Sequence, residues 1–182
     1  RGNVLGVFAA AESLGLTPQE ISRGLSSFSG VKRRQEVRGE PSGILIIDDF
    51  AHHPTAVRET IAAIARRYAP RPVWAVFEPR SNTSRRNIHQ DDYAASFGDA
   101  HRVSIKIPER HDKIPVGEEL DVVKLAADLN RQGIRATAGE TVETIVGDLV
   151  AEAKTGDVVL VMSNGSFGGL VDRLLTKLEG ST

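Results

Sequence analysis

The sequence predicts an α/β fold: a doubly wound, mostly parallel sheet with helices on both faces, preceded by a short helical segment. Three observations lead there. Short apolar runs alternate with amphipathic stretches at least four times along the chain, the pattern of parallel strands joined by covering helices. Runs such as VWAVF and VVLVM are apolar at every position, as expected of strands buried on both faces. The 182 residues also suffice for one good core, since a chain of this size buries about 70% of its unfolded surface without a disulfide or metal staple.

The elements follow in order. Asn3 is placed to cap a helix through VLGVFAAAESL, which stops at Gly15. TPQE opens a second helix: Thr17 is a good N-cap, Pro18 suits the first helical position, and Glu20 closes a capping box. FSGVKRR then reads as a linker and a domain boundary. QEVR and ILIID form strands flanking an EPSG turn. From Thr55 to Tyr68, the residues Val57, Ile61, Ile64, Ala65 and Tyr68 share one helical face. PVWAVF is a buried strand, HQDDYAASF a short helix, and HRVSIKI a strand. LDVVKLAADLNRQG is an amphipathic helix ending at Gly133, and IRATA a strand. TVETIVGDLVAEAKTG is a helix, DVVLVM a buried strand, and FGGLVDRLLTKLEG the last helix.

Composition narrows the function. Charges nearly cancel, 23 basic against 24 acidic, which argues against a general nucleic-acid or membrane-surface role. There is no cysteine, so thiol catalysis, disulfides and cysteine-ligated zinc are excluded. No apolar run approaches the ~18 residues of a membrane span, and no signal peptide is recognised; a soluble cytoplasmic protein is expected. The start at Arg1 suggests a piece of a longer protein.

In a doubly wound sheet, ligands bind beyond the carboxyl ends of the strands. DDFAHHP follows ILII, EPRSNTSRRN follows VWAVF, PERHDKIP follows VSIKI, and SNGSFGG follows VVLVM. The opposite edge carries ordinary turns such as APRP and KTGD. This asymmetry argues for a site, although each segment has a plain reading. Asp48 or Asp49 would simply cap the next helix, with His52 and His53 solvated. PRSNTSRRN is either a solvated loop or a clamp for carboxylate or phosphate, since guanidinium is a planar bidentate fork. SNGSFGG is either strand-to-helix punctuation or a loop whose small residues let backbone amides approach an anion. VKRR reads as a solvated charge run, and the segment around His111 as a surface loop. No GxxxxGK[ST] loop occurs anywhere.

Taken together, DDFAHHPTA, FEPRSNTSRR and GDVVLVMSNGSFGGL resemble the C-terminal domain of the Mur ligases, and the resemblance covers the whole chain. Residues 1–30 are similar to the helical end of the family's central ATPase domain, and residues 31–182 to its Rossmann-like C-terminal domain. Within the family, the motifs are most similar to ligases that join a recycled cell-wall tripeptide, L-Ala-γ-D-Glu-meso-diaminopimelate, to UDP-N-acetylmuramate. Muramate–L-alanine ligases, with a similar DDYxHHP, are the near alternative. The resemblance implies a cytoplasmic enzyme of peptidoglycan recycling: ATP phosphorylates a carboxylate and the peptide amine attacks the acyl phosphate. ATP and Mg would be held mainly by the central domain, so this chain would be a lid, inactive by itself and without catalytic residues or a metal of its own.

The resemblance also assigns residues. Asp49 would hold the ribose hydroxyls, His52 would face the phosphates, and Arg33 or Arg34 would reach the nucleotide across the boundary. Arg80 and Arg85 would meet the peptide carboxylates, with Ser163, Asn164, Ser166 and Phe167 on its other side. Where the family has HNxxN, with the second asparagine near adenine, this chain has RGNVLG: Asn3 survives as a nucleotide-binding candidate, and Gly6 stands in place of the asparagine near adenine. Two rival readings are a metal-dependent phosphoesterase, with His111 and Asp112 as the supply of further ligands, and a non-catalytic nucleotide- or peptide-binding module.

Overall fold

The computed structural model describes residues 2–28, 30–109 and 114–180. It divides into two compact units, residues 1–32 and 33–182.

The first unit holds α1 (Gly2–Ser13) and α2 (Pro18–Ser26). α1 begins one residue ahead of Asn3, so Asn3 occupies the first turn rather than the cap position expected of it. Gly15, at φ +86°, adopts the left-handed conformation that ends the helix. The capping box is present: the Thr17 hydroxyl accepts from the Glu20 amide, and the Glu20 carboxylate accepts from the Thr17 amide at 2.8 Å.

The second unit is a six-stranded sheet built from β1 (Glu36–Gly39), β2 (Leu45–Asp49), β3 (Val73–Phe77), β4 (Arg102–Lys106), β5 (Arg135–Gly139) and β6 (Val158–Met162). Their spatial order is β1-β2-β6-β3-β4-β5. All neighbours are parallel except β1, which runs antiparallel to β2 at one edge. The helices are α3 (Pro54–Arg67), α4 (Gln90–Ala94), α5 (Val122–Arg131), α6 (Val142–Glu152) and α7 (Leu170–Glu179).

Side chains alternate across a strand, and here each set meets a different helical layer. Ile47, Phe77 and Leu160 pack with residues of α3, α4 and α5 such as Ile61, Tyr93 and Leu125. Ile46, Trp74 and Val159 pack with residues of α6 and α7 such as Ile145 and Leu174. This is the doubly wound architecture the continuous apolar strands predict. The helix read from HQDDYAASF is present but shorter: a 3₁₀ turn at Asn87–His89 leads into α4, which ends at Ala94.

Away from the strand C-termini, β4, β5 and α6 are tied by charge. The Arg102 guanidinium lies 3.6 Å over the Trp74 ring. It also donates to Glu152 at 2.9 Å, and Arg135 donates to the same carboxylate at 2.7 Å.

Candidate functional site

Because β2, β6, β3 and β4 are adjacent and parallel, the four polar segments that follow them emerge side by side at one edge. Two neighbourhoods result, with the Ser163–Gly169 loop between them.

The first gathers at the end of β2. Asp49 is 3% exposed, and its carboxylate is engaged from both sides: Oδ1 accepts from the Ala51 amide at 2.7 Å and Oδ2 from the Gln35 amide at 2.8 Å. Each oxygen keeps a second acceptor site. Neither aspartate caps α3, whose N-cap is His53 without a side-chain bond. Phe50 stands at the centre. The guanidinium carbons of Arg33 and Arg34 lie 5.6 and 5.4 Å from its ring, and the His52 ring meets it edge-on at 5.4 Å. His52 is fixed on two sides: Nδ1 lies 3.0 Å from the Phe50 carbonyl oxygen, and the Tyr93 hydroxyl donates to the His52 carbonyl at 2.6 Å. Burial pushes the Tyr93 hydroxyl well up, so it remains a donor. Beneath this corner Asp48 is 5% exposed. Burial raises its pKa even against the Arg33 and Arg38 guanidiniums beside it.

The second neighbourhood is a cavity of about 270 Å³ that Arg80, Arg85 and Ser166 line together with Glu78, Lys106 and Glu109. A second cavity of about 270 Å³, lined in part by Ile107, Ile114, Leu120 and Val122, shares Arg85 and Glu109 with it. The arginine-rich loop is not simply solvated. The Ser84 amide donates to the Ser81 hydroxyl at 3.0 Å, Arg85 Nε to the Pro79 carbonyl at 3.4 Å, and the Leu120 amide to the Arg85 carbonyl at 2.7 Å. Ser84 is accordingly 1% exposed.

The Ser163–Gly169 loop joins the two. Ser163 is buried, and its hydroxyl donates to the Glu78 carboxylate and accepts from the Gly165 amide at 2.9 Å. Asn164 Oδ1 is buried and has no hydrogen-bond partner among the described residues. Phe167 lies in the core beside α6 and α7 at 2% exposure, so its ring serves packing. What Phe167 brings to the edge is backbone: with Gly168 and Gly169 it makes three successive residues of positive φ, at 45°, 56° and 72°.

The structure thus brings Arg33, Arg34, Asp49 and His52 together around Phe50, and Arg80, Arg85 and Ser166 around one cavity. Asn3 belongs to the other unit, and its side chain lies outside the described residues, as do His111 and Asp112. Among the described residues no three His, Asp or Glu side chains converge as metal ligands would. Sequence reasoning passed over Glu78, Lys106 and Glu109. Glu78 opens the EPRSNTSRR motif, and Lys106 is the last residue of β4, so their places at the strand ends were the available signal.

The family model described as "Mur ligase, glutamate ligase domain" matches residues 33–165. This chain belongs to the Mur ligase family, of which it contains the C-terminal domain. It is 38% identical over 177 residues to the UDP-N-acetylmuramate–L-alanyl-γ-D-glutamyl-meso-2,6-diaminoheptandioate ligase of Escherichia coli, covering 97% of this chain and 36% of that protein. Among solved structures, the murein peptide ligase of Psychrobacter arcticus matches with a TM-score of 0.71 at 36% identity, over 97% of this chain and 36% of that one. A crystallised domain assigned to a ligase of this type from Haemophilus ducreyi matches with a TM-score of 0.64 at 36% identity, over 80% of this chain and 99% of that one. The chain spans little more than a third of the full-length relatives.

Proposed function

We propose that this chain is the lid of an ATP-dependent ligase that joins L-Ala-γ-D-Glu-meso-diaminopimelate to UDP-N-acetylmuramate in the cytoplasm. The observation that carries the reading is the partition of one sheet edge. The end of β2 offers an aromatic ring flanked by cations beside a carboxylate, chemistry suited to a nucleotide. The ends of β3 and β4 offer an arginine-lined cavity that also contains acids, suited to a peptide carrying carboxylates and an amine. The relatives named above support the choice of substrates.

In this reading Asp49 accepts from the ribose hydroxyls on its remaining lone pairs, and Arg34 and His52 face the phosphates. Arg80, Arg85 and Ser166 orient the peptide. The lid holds the amine beside the carboxylate that ATP activates, so that attack on the acyl phosphate forms the amide and releases phosphate, and it excludes the water that would hydrolyse that intermediate. Residues 1–30 are read as the end of the ATPase domain, and residues 31–182 as the lid. Leu5, Leu14 and Phe28, at 70%, 80% and 64% exposure, suit a helical pair whose core continues in a larger body. Mg and the ATP phosphates are assigned to that body, because this chain has neither a phosphate loop nor, among its described residues, a set of convergent metal ligands.

The test is turnover by the full-length ligase. ADP release should require both UDP-N-acetylmuramate and the tripeptide. Equal or better turnover with L-alanine in place of the tripeptide would move the protein to the muramate–alanine ligases, and turnover needing neither acceptor would sink the proposal.

A further inference from the structure

Arg33 and Arg34 are adjacent, but the structure uses them differently. Arg33 is the first residue of the second unit and has φ +57°, a left-handed conformation that few side chains adopt without support. The support is local: its amide donates to the Glu36 carboxylate at 2.7 Å. From there its guanidinium runs inward. Nε donates to Asp48 at 3.3 Å, and one Nη donates to the Ser163 carbonyl at 2.7 Å and to the Gly165 carbonyl at 2.5 Å. Asp48 is held in turn by Arg38, which also bonds Asp172 of α7 at 3.0 Å. Arg34 is exposed and lies over Phe50.

Gly165 is the point where both neighbourhoods touch. Arg33 takes its carbonyl from the β2 side. On the other side the Arg80 side chain occupies the space a Cβ would fill, so any larger residue would overlap it. The turn is therefore clamped between two arginines, one from each neighbourhood. We infer that Arg33 is a positioning residue, not a nucleotide ligand: it fixes the Ser163–Gly165 turn against which Arg80 rests, and thereby sets the peptide cavity from the nucleotide side. The functional half of this inference rests on the peptide reading of that cavity.

The chemistry makes the role specific to arginine. One planar fork serves three acceptors here, whereas an ammonium is a compact point charge that cannot satisfy the same set. Loss of the fork leaves two carbonyls without this donor and Asp48 with only the more distant Arg38.

Two measurements test it. The first is amide exchange in this 182-residue chain. Arg33→Lys should speed exchange of the Gly165 amide by about tenfold or more, while Arg34→Lys leaves it unchanged. Unchanged exchange in Arg33→Lys would overturn the inference. Arg33→Gln, which keeps a donor without the fork, takes its place with the same expectation should the lysine variant not fold. The second is steady-state kinetics of the full-length ligase. Arg33→Lys should raise the KM for the peptide by about tenfold and leave that for ATP within about twofold; a rise confined to ATP would make Arg33 a nucleotide ligand after all. Failure of the ligase reading looks different: wild type would show no peptide-dependent turnover, and the exchange comparison would still decide the clamp.

Discussion

Arg85 lines both cavities at the β3–β4 end of the sheet, so under the proposed peptide reading its loss should weaken peptide binding. One charge-assisted hydrogen bond is worth about 1.5–3 kcal/mol, or about 10- to 150-fold in affinity. Arg85→Ala in the full-length ligase should therefore raise the peptide KM by that order and barely alter the KM for ATP. Arg85→Lys should rescue it in part, since charge survives but the bidentate geometry does not. Kinetics with each substrate varied in turn would decide, and a loss confined to ATP would reassign the loop to the nucleotide. Tyr93 makes a different kind of prediction. Its hydroxyl donates to the His52 carbonyl from the core, so Tyr93→Phe should cost about 1 kcal/mol in urea unfolding. Motif position could single out Asp49 and His52, but it could not show that Asp49 already accepts two backbone amides. Nor could it show which of two neighbouring arginines turns inward, because the carbonyls that hold the Arg33 guanidinium, those of Ser163 and Gly165, lie far along the chain.

At the scale of elements, periodicity carried the reading a long way, because strands buried on both faces must be continuously apolar and amphipathic helices must repeat. It failed where the pattern is short. HQDDYAASF holds the last residue of a 3₁₀ turn and the five residues of α4, too little for a period to fix the ends. Asn3 was misplaced as a cap because helix ends depend on a turn or less of backbone. Elements also carry their own pH dependence. Glu152 on α6 is pulled upward by burial, but Arg102 and Arg135 outweigh this, and its carboxyl lies below the ordinary value of 4.5. A depressed folded pKa means stability that is fully present above 4.5 and lost as pH falls through the folded value. Glu152→Gln should thus lower the urea midpoint at neutral pH and converge on wild type in acid. A constant difference across the range would remove the carboxylate from the account.

For the whole molecule, the sheet has both faces covered and lacks any phosphate loop, so the 182-residue chain should unfold cooperatively yet release no ADP from ATP. Turnover that co-purifies with it through successive columns would contradict the assignment of the chemistry elsewhere. The polar edge itself was visible in the sequence as four polar segments following four apolar runs. Their spatial neighbours were not, because strand order is set by crossovers that no local pattern encodes.

That order has a consequence for synthesis. β6 is the last strand made, yet it lies between β2 and β3 and pairs with both. A ribosome that has delivered the first five strands has delivered two halves of a sheet with a gap at the centre, and the turn that Arg33 and Arg80 grip does not yet exist. Nascent chains and chains clipped before residue 158 therefore present no assembled ligand edge. The domain closes its sheet and gains its binding surface in the same late event.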